Sequence, residues 1–365
     1  MGGLNLHLPI SFSDGVQWLA RLPQSSPTSP PQVILDKSLL SETATYSLLQ
    51  SVGVKVPRIH ALEVGGSTPS FFLMDRLPGT PKFYEILSDP AARRRVIEDV
   101  ADCFIAISTL PLAACGAPTF DTQGTVTIGP LVEPRWHQRA QDGSLKMLGP
   151  YKSAREKHIA CIEVVLDRIK GGFQHVEDAE EVYLIHLVCS IPTPGQLSHK
   201  LFDHFKELIE IVKLLYPTGS ATSFFLRHTD AKGDNWLIDE SNHISGFIDW
   251  EWAEAASPHE AFAAPEAFFD VGAFYEGVND LSYREQDLAD ALDRKSRSDL
   301  AAYVRNGKAY QRLPFLIGGS VDVDYFRMYQ SLRSIVLGRV MERGEWLTMA
   351  REKFGADGGW KNLKG

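Results

Sequence analysis

Cysteine is scarce in this chain of 365 residues: there are four, at positions 103, 115, 161 and 189, and no two stand at a metal-ligand spacing. That argues against a disulfide framework and against a cysteine-built zinc site, and leaves free thiols in a reducing compartment as the expectation. Basic residues are also in deficit, 37 Lys and Arg against 46 Asp and Glu, a formal net charge of −9. A general nucleic-acid binder needs the opposite balance. Long apolar runs are missing too. The longest uncharged stretch, CFIAISTLPLAACGAPTF, is broken by Pro111 and Pro118 and is unsuited to a bilayer, so no membrane partner is expected. The amino terminus has no basic segment followed by an apolar block, so no leader is expected and the cytoplasm is the expected location. His137, His158, His186 and His259 show no zinc-like spacing, and Cys115 has no evident base.

What is present is ordinary for a globular chain: 44% apolar and 23% charged residues, enough for a core without staples. The length suggests two lobes. LNLHLPISF alternates strictly, with Leu4, Leu6, Leu8, Ile10 and Phe12 on one face, and reads as a strand. Ser13-Asp14-Gly15 supplies a turn and VQWLARL a returning strand. A Pro/Ser-rich surface loop covers 23–32. A helix then runs from Ser38, its expected cap, to Gly53, its expected stop. Two more strands are expected at PRIHALE and at Phe71 to Leu77, followed by the break Pro78-Gly79-Thr80-Pro81. Beyond it helical spacing takes over, at 89–110 and near 152–170, 198–216, 283–306 and 322–345. The stretch 112–150 reads as irregular. The tryptophans at 346 and 360 are expected to anchor a C-terminal tail.

The chemistry concentrates in RHTDAKGDNWLID, residues 227–239. WLID is a short strand, ESNH a turn and ISGFID a return strand. A four-residue turn closing that hairpin pairs Asp239 with Ile244 and sets Asn235 opposite Ile248, so Asn235 lies beside Asp249, 14 residues on. Two oxygen ligands at the open end of a hairpin suit Mg²⁺, which takes one or two protein oxygens and completes its shell with phosphate and water. Asp230, at the front of the loop, can accept a proton from an attacking hydroxyl or orient it. Lys232 can reach a γ-phosphate as a point charge.

The block HTDAKGDNWLID…ISGFIDWEWA resembles the active site of the aminoglycoside phosphotransferase and choline kinase family, most closely its fungal members, which are also similar at SPHEAF, FFDVGAFYEG and LSYREQDLADAL. The resemblance covers nearly the whole chain. It implies an α+β, bilobal protein-kinase-like fold with a small β-rich lobe at 1–78 that binds nucleotide and a larger helical catalytic and substrate lobe at 79–365. It also implies ATP and Mg²⁺ as cofactors, a small-molecule hydroxyl as acceptor, Asp230 as catalytic aspartate, Asn235 and Asp249 as metal ligands, and His228 as the brace of the loop. Asp270 stands where such folds brace that loop from a helix, or is simply a helix cap.

In kinase-like folds a Gly-rich turn covers the nucleotide and a basic strand residue pairs with a helix glutamate. Gly2 and Gly3 resemble the end of such a turn, Arg21 is the basic residue and Glu42 its partner. Leu19, on the strand face of Arg21, would line the adenine site, and Met74, Asp75 and Arg76 would form the hinge that meets the adenine edge. The strand that should precede the turn is expected to be absent, leaving the lobe one strand short or its hold on ATP loose. Trp250, Glu251, Glu254 and Glu276 are candidates for an amine-bearing acceptor, or else a charged helix surface. Two other classes stay open: a pseudokinase or nucleotide-binding interaction module, and a kinase acting on protein. The second is favoured by the Lys232 spacing and disfavoured by IDWE in place of DFG.

Overall fold

The computed structural model describes residues 5–24, 29–66, 69–139, 144–170, 206–219, 223–318 and 325–354. Gly2, Gly3 and Trp360 lie outside them. The alternating opening folds as strand β1 (Asn5–Ser11), antiparallel to β2 (Gln17–Pro23), with His7 opposite Arg21 and Pro9 opposite Leu19. After helix α1 (Gln32–Ser51) come β3 (Ile59–Glu63) and β4 (Phe71–Asp75), completing a four-stranded sheet in the order β1-β2-β4-β3. Facing residues in a sheet share a side. One row therefore runs Pro9, Leu19, Met74, Ile59, and the next His7, Arg21, Phe72.

Helix α1 corrects one expectation. It begins six residues before Ser38, after Pro31, whose fixed φ suits a helix entry. Ser38 is a buried interior residue rather than a cap. The stop at Gly53 holds, with φ +80°. Short α2 (Phe83–Ile86) precedes α3 (Pro90–Ser108), where Asp89 caps the Ala91 N–H and Val96, Ile97, Val100 and Ala101 form the buried stripe. The stretch 112–150 is not irregular throughout. It holds the hairpin β5 (Ala117–Phe120) and β6 (Val126–Gly129), then the smaller β7 (Gln138–Arg139) and β8 (Leu145–Lys146).

Next come α4 (Ala154–Lys170), a helix α5 over 206–215, and β9 (Phe225–Arg227). The hairpin β10 (Trp236–Ile238) and β11 (Ile244–Phe247) leads to β12 (Glu254–Ala256), which pairs with β9. The remaining helices are α6 (Pro258–Ala261), α7 (Val271–Tyr275), α8 (Tyr283–Arg294), α9 (Ser298–Arg305), α10 (Lys308–Gly318), α11 (Tyr325–Leu337) and α12 (Arg343–Phe354). The 283–306 pattern is two helices, divided where Ser296 takes φ +60°. Helix α10, with Pro314 inside it, had no counterpart in the sequence reading. Among the described residues no helix is long and apolar enough to cross a membrane.

Contacts group the chain into two compact units. The first comprises Met1–Lys152, Ala221–Phe269 and Ser282–Arg305, and contains the four-stranded sheet and the β10–β11 hairpin. Its core joins Leu39, Tyr46, Phe72 and Met74 to Trp236, Ile244, Phe247, Trp250, Phe262 and Phe268. The second comprises Ser153–Ser220, Asp270–Leu281 and Asn306–Gly365. In it Trp346 is fully buried against Tyr329 and Phe326 and donates to Glu207 at 2.6 Å, so it does anchor the end of the described chain.

Candidate active site

The β10–β11 hairpin is fixed from three sides within the first unit. Lys55 donates to the Ile244 carbonyl and its own carbonyl accepts from Phe247, while the Asp99 carboxylate accepts from the Ile244 N–H at 2.7 Å. Thr80 exchanges backbone bonds with Ile238 in both directions, at 3.1 and 2.9 Å. Gly79, at φ +100°, permits that approach: a Cβ there would stand 2.9 Å from the Ile238 oxygen. The expected register holds at the open end, where the Ile248 N–H donates to the Asn235 carbonyl at 3.0 Å. It shifts at the turn. Ile238 faces Ile244 while Leu237 faces Gly246, so Ser245 is an extra, bulged residue, and Asp239 pairs with His243 rather than Ile244. The Ser245 hydroxyl bonds the Pro78 carbonyl.

The loop before the hairpin is tied together by backbone and side chain alike. Asn235 Nδ2 donates to the Asp230 carbonyl at 2.7 Å, and Asp230 N–H donates to His228 Nδ1 at 3.2 Å. His228 Nε2 in turn donates to the Ile248 carbonyl at 3.0 Å. A ring that accepts at Nδ1 and donates at Nε2 is neutral, in keeping with burial that holds its pKa below the ordinary value. His228 therefore links the loop to the strand end that carries Asp249. Lys232 Nζ lies 2.7 Å from Asp230 Oδ1, both side chains being exposed, and this hydrogen bond raises the lysine pKa.

Gly233 sits against α2: its N–H donates to the Tyr84 hydroxyl at 3.3 Å, and a Cβ there would fall 3.0 Å from Phe83 Cβ and Cγ and nearer still to Cδ1. Phe83 is fully buried against Trp236 and Phe268 and cannot retreat. Gly233→Ala should thus destabilise by about 1–3 kcal/mol, an overpacking cost read as a lowered urea midpoint with unchanged slope. An unchanged midpoint would mean that the loop shifts freely.

Arg21 and Glu42 meet as expected, with Nε 3.0 Å from Glu42 Oε2, though not aligned for a hydrogen bond. Two further carboxylates join them. Arg21 Nη2 bonds Asp249 Oδ1 at 2.8 Å and Glu251 Oε2 at 3.1 Å. Nη1 lies 3.2 Å from His7 Nε2. Glu251 is also held by Asn5 Nδ2 at 2.8 Å, and Ser38 Oγ reaches it at 3.4 Å. Tyr46 donates to Glu42 at 3.1 Å. Arg21 is 3% exposed and Glu42 1%. One guanidinium thus faces three acids, with Glu42 fully buried and Asp249 open to solvent. Burial pushes the Glu42 carboxyl up to about 8 against the pull of Arg21, and raises Glu251 as well. Asn5, His7 and Tyr46 were not singled out in the sequence, and Ser38 only as a helix cap. The strand alternation that puts Leu6 and Leu8 on one face of β1 sets Asn5 and His7 on the face of Arg21, and carried that signal.

Other candidates fall elsewhere. Leu19 and Met74 are cross-strand neighbours two positions from Arg21 along the same face. The hinge is partly engaged: Asp75 N–H donates to the Arg58 carbonyl, Arg76 N–H to Gln17, and the Asp75 carboxylate bonds His60 at 2.6 Å. Trp250 is 2% exposed and packs on His228, so it is a core residue and not an acceptor contact. Glu254 is buried on β12 and pairs with Arg227 of β9. Glu276 belongs to the second unit and pairs with Arg327 at 3.0 Å. Of these four, Glu251 alone joins the Arg21 cluster. Asp270 caps α7 through the Ala273 N–H. Glu266, not singled out before, interacts with both Lys232 and Asp230, and burial raises its pKa.

Asn235 and Asp249 offer a carboxamide and a carboxylate oxygen, the donor chemistry Mg²⁺ accepts. Among the described residues no three His, Cys, Asp or Glu side chains group as a metal cage. An ion here would complete its shell with phosphate oxygens and water.

The profile of the phosphotransferase enzyme family matches residues 18–314, and the chain belongs to that family. With it comes the protein-kinase-like α+β class, here a four-stranded antiparallel sheet followed mainly by helices. Among solved structures, the apo form of a thermostable mutant of aminoglycoside phosphotransferase APH(4)-Ia is similar at 16% identity over 93% of this chain and 92% of that one, TM-score 0.49. A ternary complex of a thermostable mutant of that enzyme with AMP-PNP and hygromycin B gives 17%, 92%, 91% and 0.49. ADP-bound APH(2'')-Ib gives 13%, 92%, 95% and 0.47. No curated protein sequence matches the chain.

Proposed function

We propose that the protein transfers the γ-phosphoryl group of ATP to a hydroxyl of a small molecule, with residues 1–78 holding the nucleotide and residues 79–365 supplying catalysis and the acceptor site. The observation that carries this reading is the junction of one loop with one hairpin mouth: Asn235 bonds the Asp230 carbonyl and accepts from Ile248, the residue before Asp249. Asp230 orients the acceptor hydroxyl and takes its proton. Lys232, within reach of the same carboxylate, attracts phosphate oxygens. Asn235 and Asp249 hold Mg²⁺, which when bound neutralises charge on the phosphates. Arg21, set by Glu42, positions the nucleotide.

Mg²⁺–ATP should raise the melting temperature of the purified chain. At a hundredfold excess over Kd the stabilisation is about 2.7 kcal/mol. It should disappear without metal and in Asp249→Ala, and a screen of amino alcohols and aminoglycosides should then show phosphorylation. Metal-dependent binding without transfer to any hydroxyl, or slow transfer to water, would favour a nucleotide-binding module. No shift at millimolar ATP would overturn the nucleotide reading.

A further inference from the structure

Glu251 needs an explanation that the proposed reaction does not supply. It lies two residues beyond Asp249, and two residues in left-handed conformation, Asp249 and Trp252, both at φ +60°, bend the chain there. Such backbone is uncommon for residues other than glycine and persists only where the surroundings enforce it. The bend delivers Glu251 to Arg21 Nη2, the same nitrogen that bonds Asp249. Its other contacts come from Asn5 at the start of β1 and Ser38 inside α1, so three separate elements hold one carboxylate on the guanidinium. Asp249 already supplies Arg21 with a counter-charge at 2.8 Å, and the Glu42 carboxyl covers its Nε side. A third acid is not needed for neutrality; it adds negative charge where polyphosphate oxygens would have to come.

We propose that Glu251 is an internal competitor for the nucleotide: its carboxylate, braced by Asn5, occupies the Nη2 edge of Arg21 and must be displaced by phosphate oxygens before Arg21 can position them. The inference rests on the proposed nucleotide site. A carboxylate and a phosphate oxygen make equivalent charge-assisted bonds to a guanidinium, so one exchanges directly for the other. Release of Glu251 also frees Asn5 Nδ2, which links nucleotide entry to the first strand.

Calorimetry of Mg²⁺–ATP and of Mg²⁺–tripolyphosphate with the full-length chain tests this, comparing wild type, Glu251→Gln and Asn5→Ala. Glu251→Gln should bind both ligands about tenfold more tightly, the equivalent of one charge-assisted hydrogen bond no longer broken on binding. The KM for ATP should fall by a similar factor. Asn5→Ala, at a half-buried position on an edge strand, keeps the test alive if the first variant folds poorly. It loosens the brace and should tighten binding by roughly two- to threefold. A purely structural Glu251 would give equal or weaker binding in both variants; that result, with wild type still binding Mg²⁺–ATP, overturns the competitor while leaving the nucleotide site standing. If no form binds either ligand, both fall together.

Discussion

Asp230→Asn should lower turnover by about 10²–10⁴-fold, the range expected when a positioned general base is removed. The structure makes this substitution a clean one. The three bonds that hold the loop at Asp230 use its backbone: the carbonyl accepts from Asn235 Nδ2 and from the Lys232 N–H, and the N–H donates to His228. The side chain is exposed and its described partner is Lys232. An asparagine of the same shape should therefore leave the fold and the thermal midpoint close to wild type while removing the carboxylate proposed to take the proton. The measurement is steady-state phosphoryl transfer to the best acceptor from the screen, with the midpoint recorded in parallel. Loss of turnover with an unchanged midpoint assigns the proton to Asp230. An undiminished rate would remove Asp230 from the chemistry and turn attention to Glu266, the neighbouring carboxyl whose pKa burial raises.

The parts of this site legible in the sequence are those set by short-range pattern. Alternation and turn chemistry define the β10–β11 hairpin, and a fixed register brings Asn235 opposite Ile248. The bulge at Ser245 depends on a long-range bond to the Pro78 carbonyl, which no local pattern encodes. Ser38 misleads for a related reason. Serine ahead of an apolar stretch is a common cap, but this serine is buried by the packing of α1 and faces Glu251. Glu254 looks like a surface acid until β12 pairs with β9 and sets it opposite Arg227, 27 residues earlier. The pairing of Arg21 with Glu42 follows from the family resemblance. The approach of Glu251 does not, because it depends on the left-handed turn at Asp249 and Trp252, where the local residue types give no cue.

Arg21→Met should cost about 3–5 kcal/mol of stability at neutral pH, the usual result of removing one partner from a buried ionic cluster. The side chain lost is 3% exposed, and the substitution leaves Glu42, Asp249 and Glu251 facing one another without their common cation. Glu42 makes the effect pH-dependent. In the folded wild-type chain its pKa stands at about 8 against an ordinary 4.5, so its contribution favours folding most below the unfolded value and is lost as pH rises through the folded value. Wild-type stability should therefore decline between about pH 5 and pH 8 through this group, and Glu42→Gln should flatten that slope. Urea denaturation across the range measures both. Because Glu42 is already largely protonated at neutral pH, Glu42→Gln placed on Arg21→Met should change stability little in a double-mutant cycle, with Asp249 and Glu251 left as the stranded charges. A loss below about 1 kcal/mol for Arg21→Met would place the pair with exposed salt bridges and contradict the burial of the cluster.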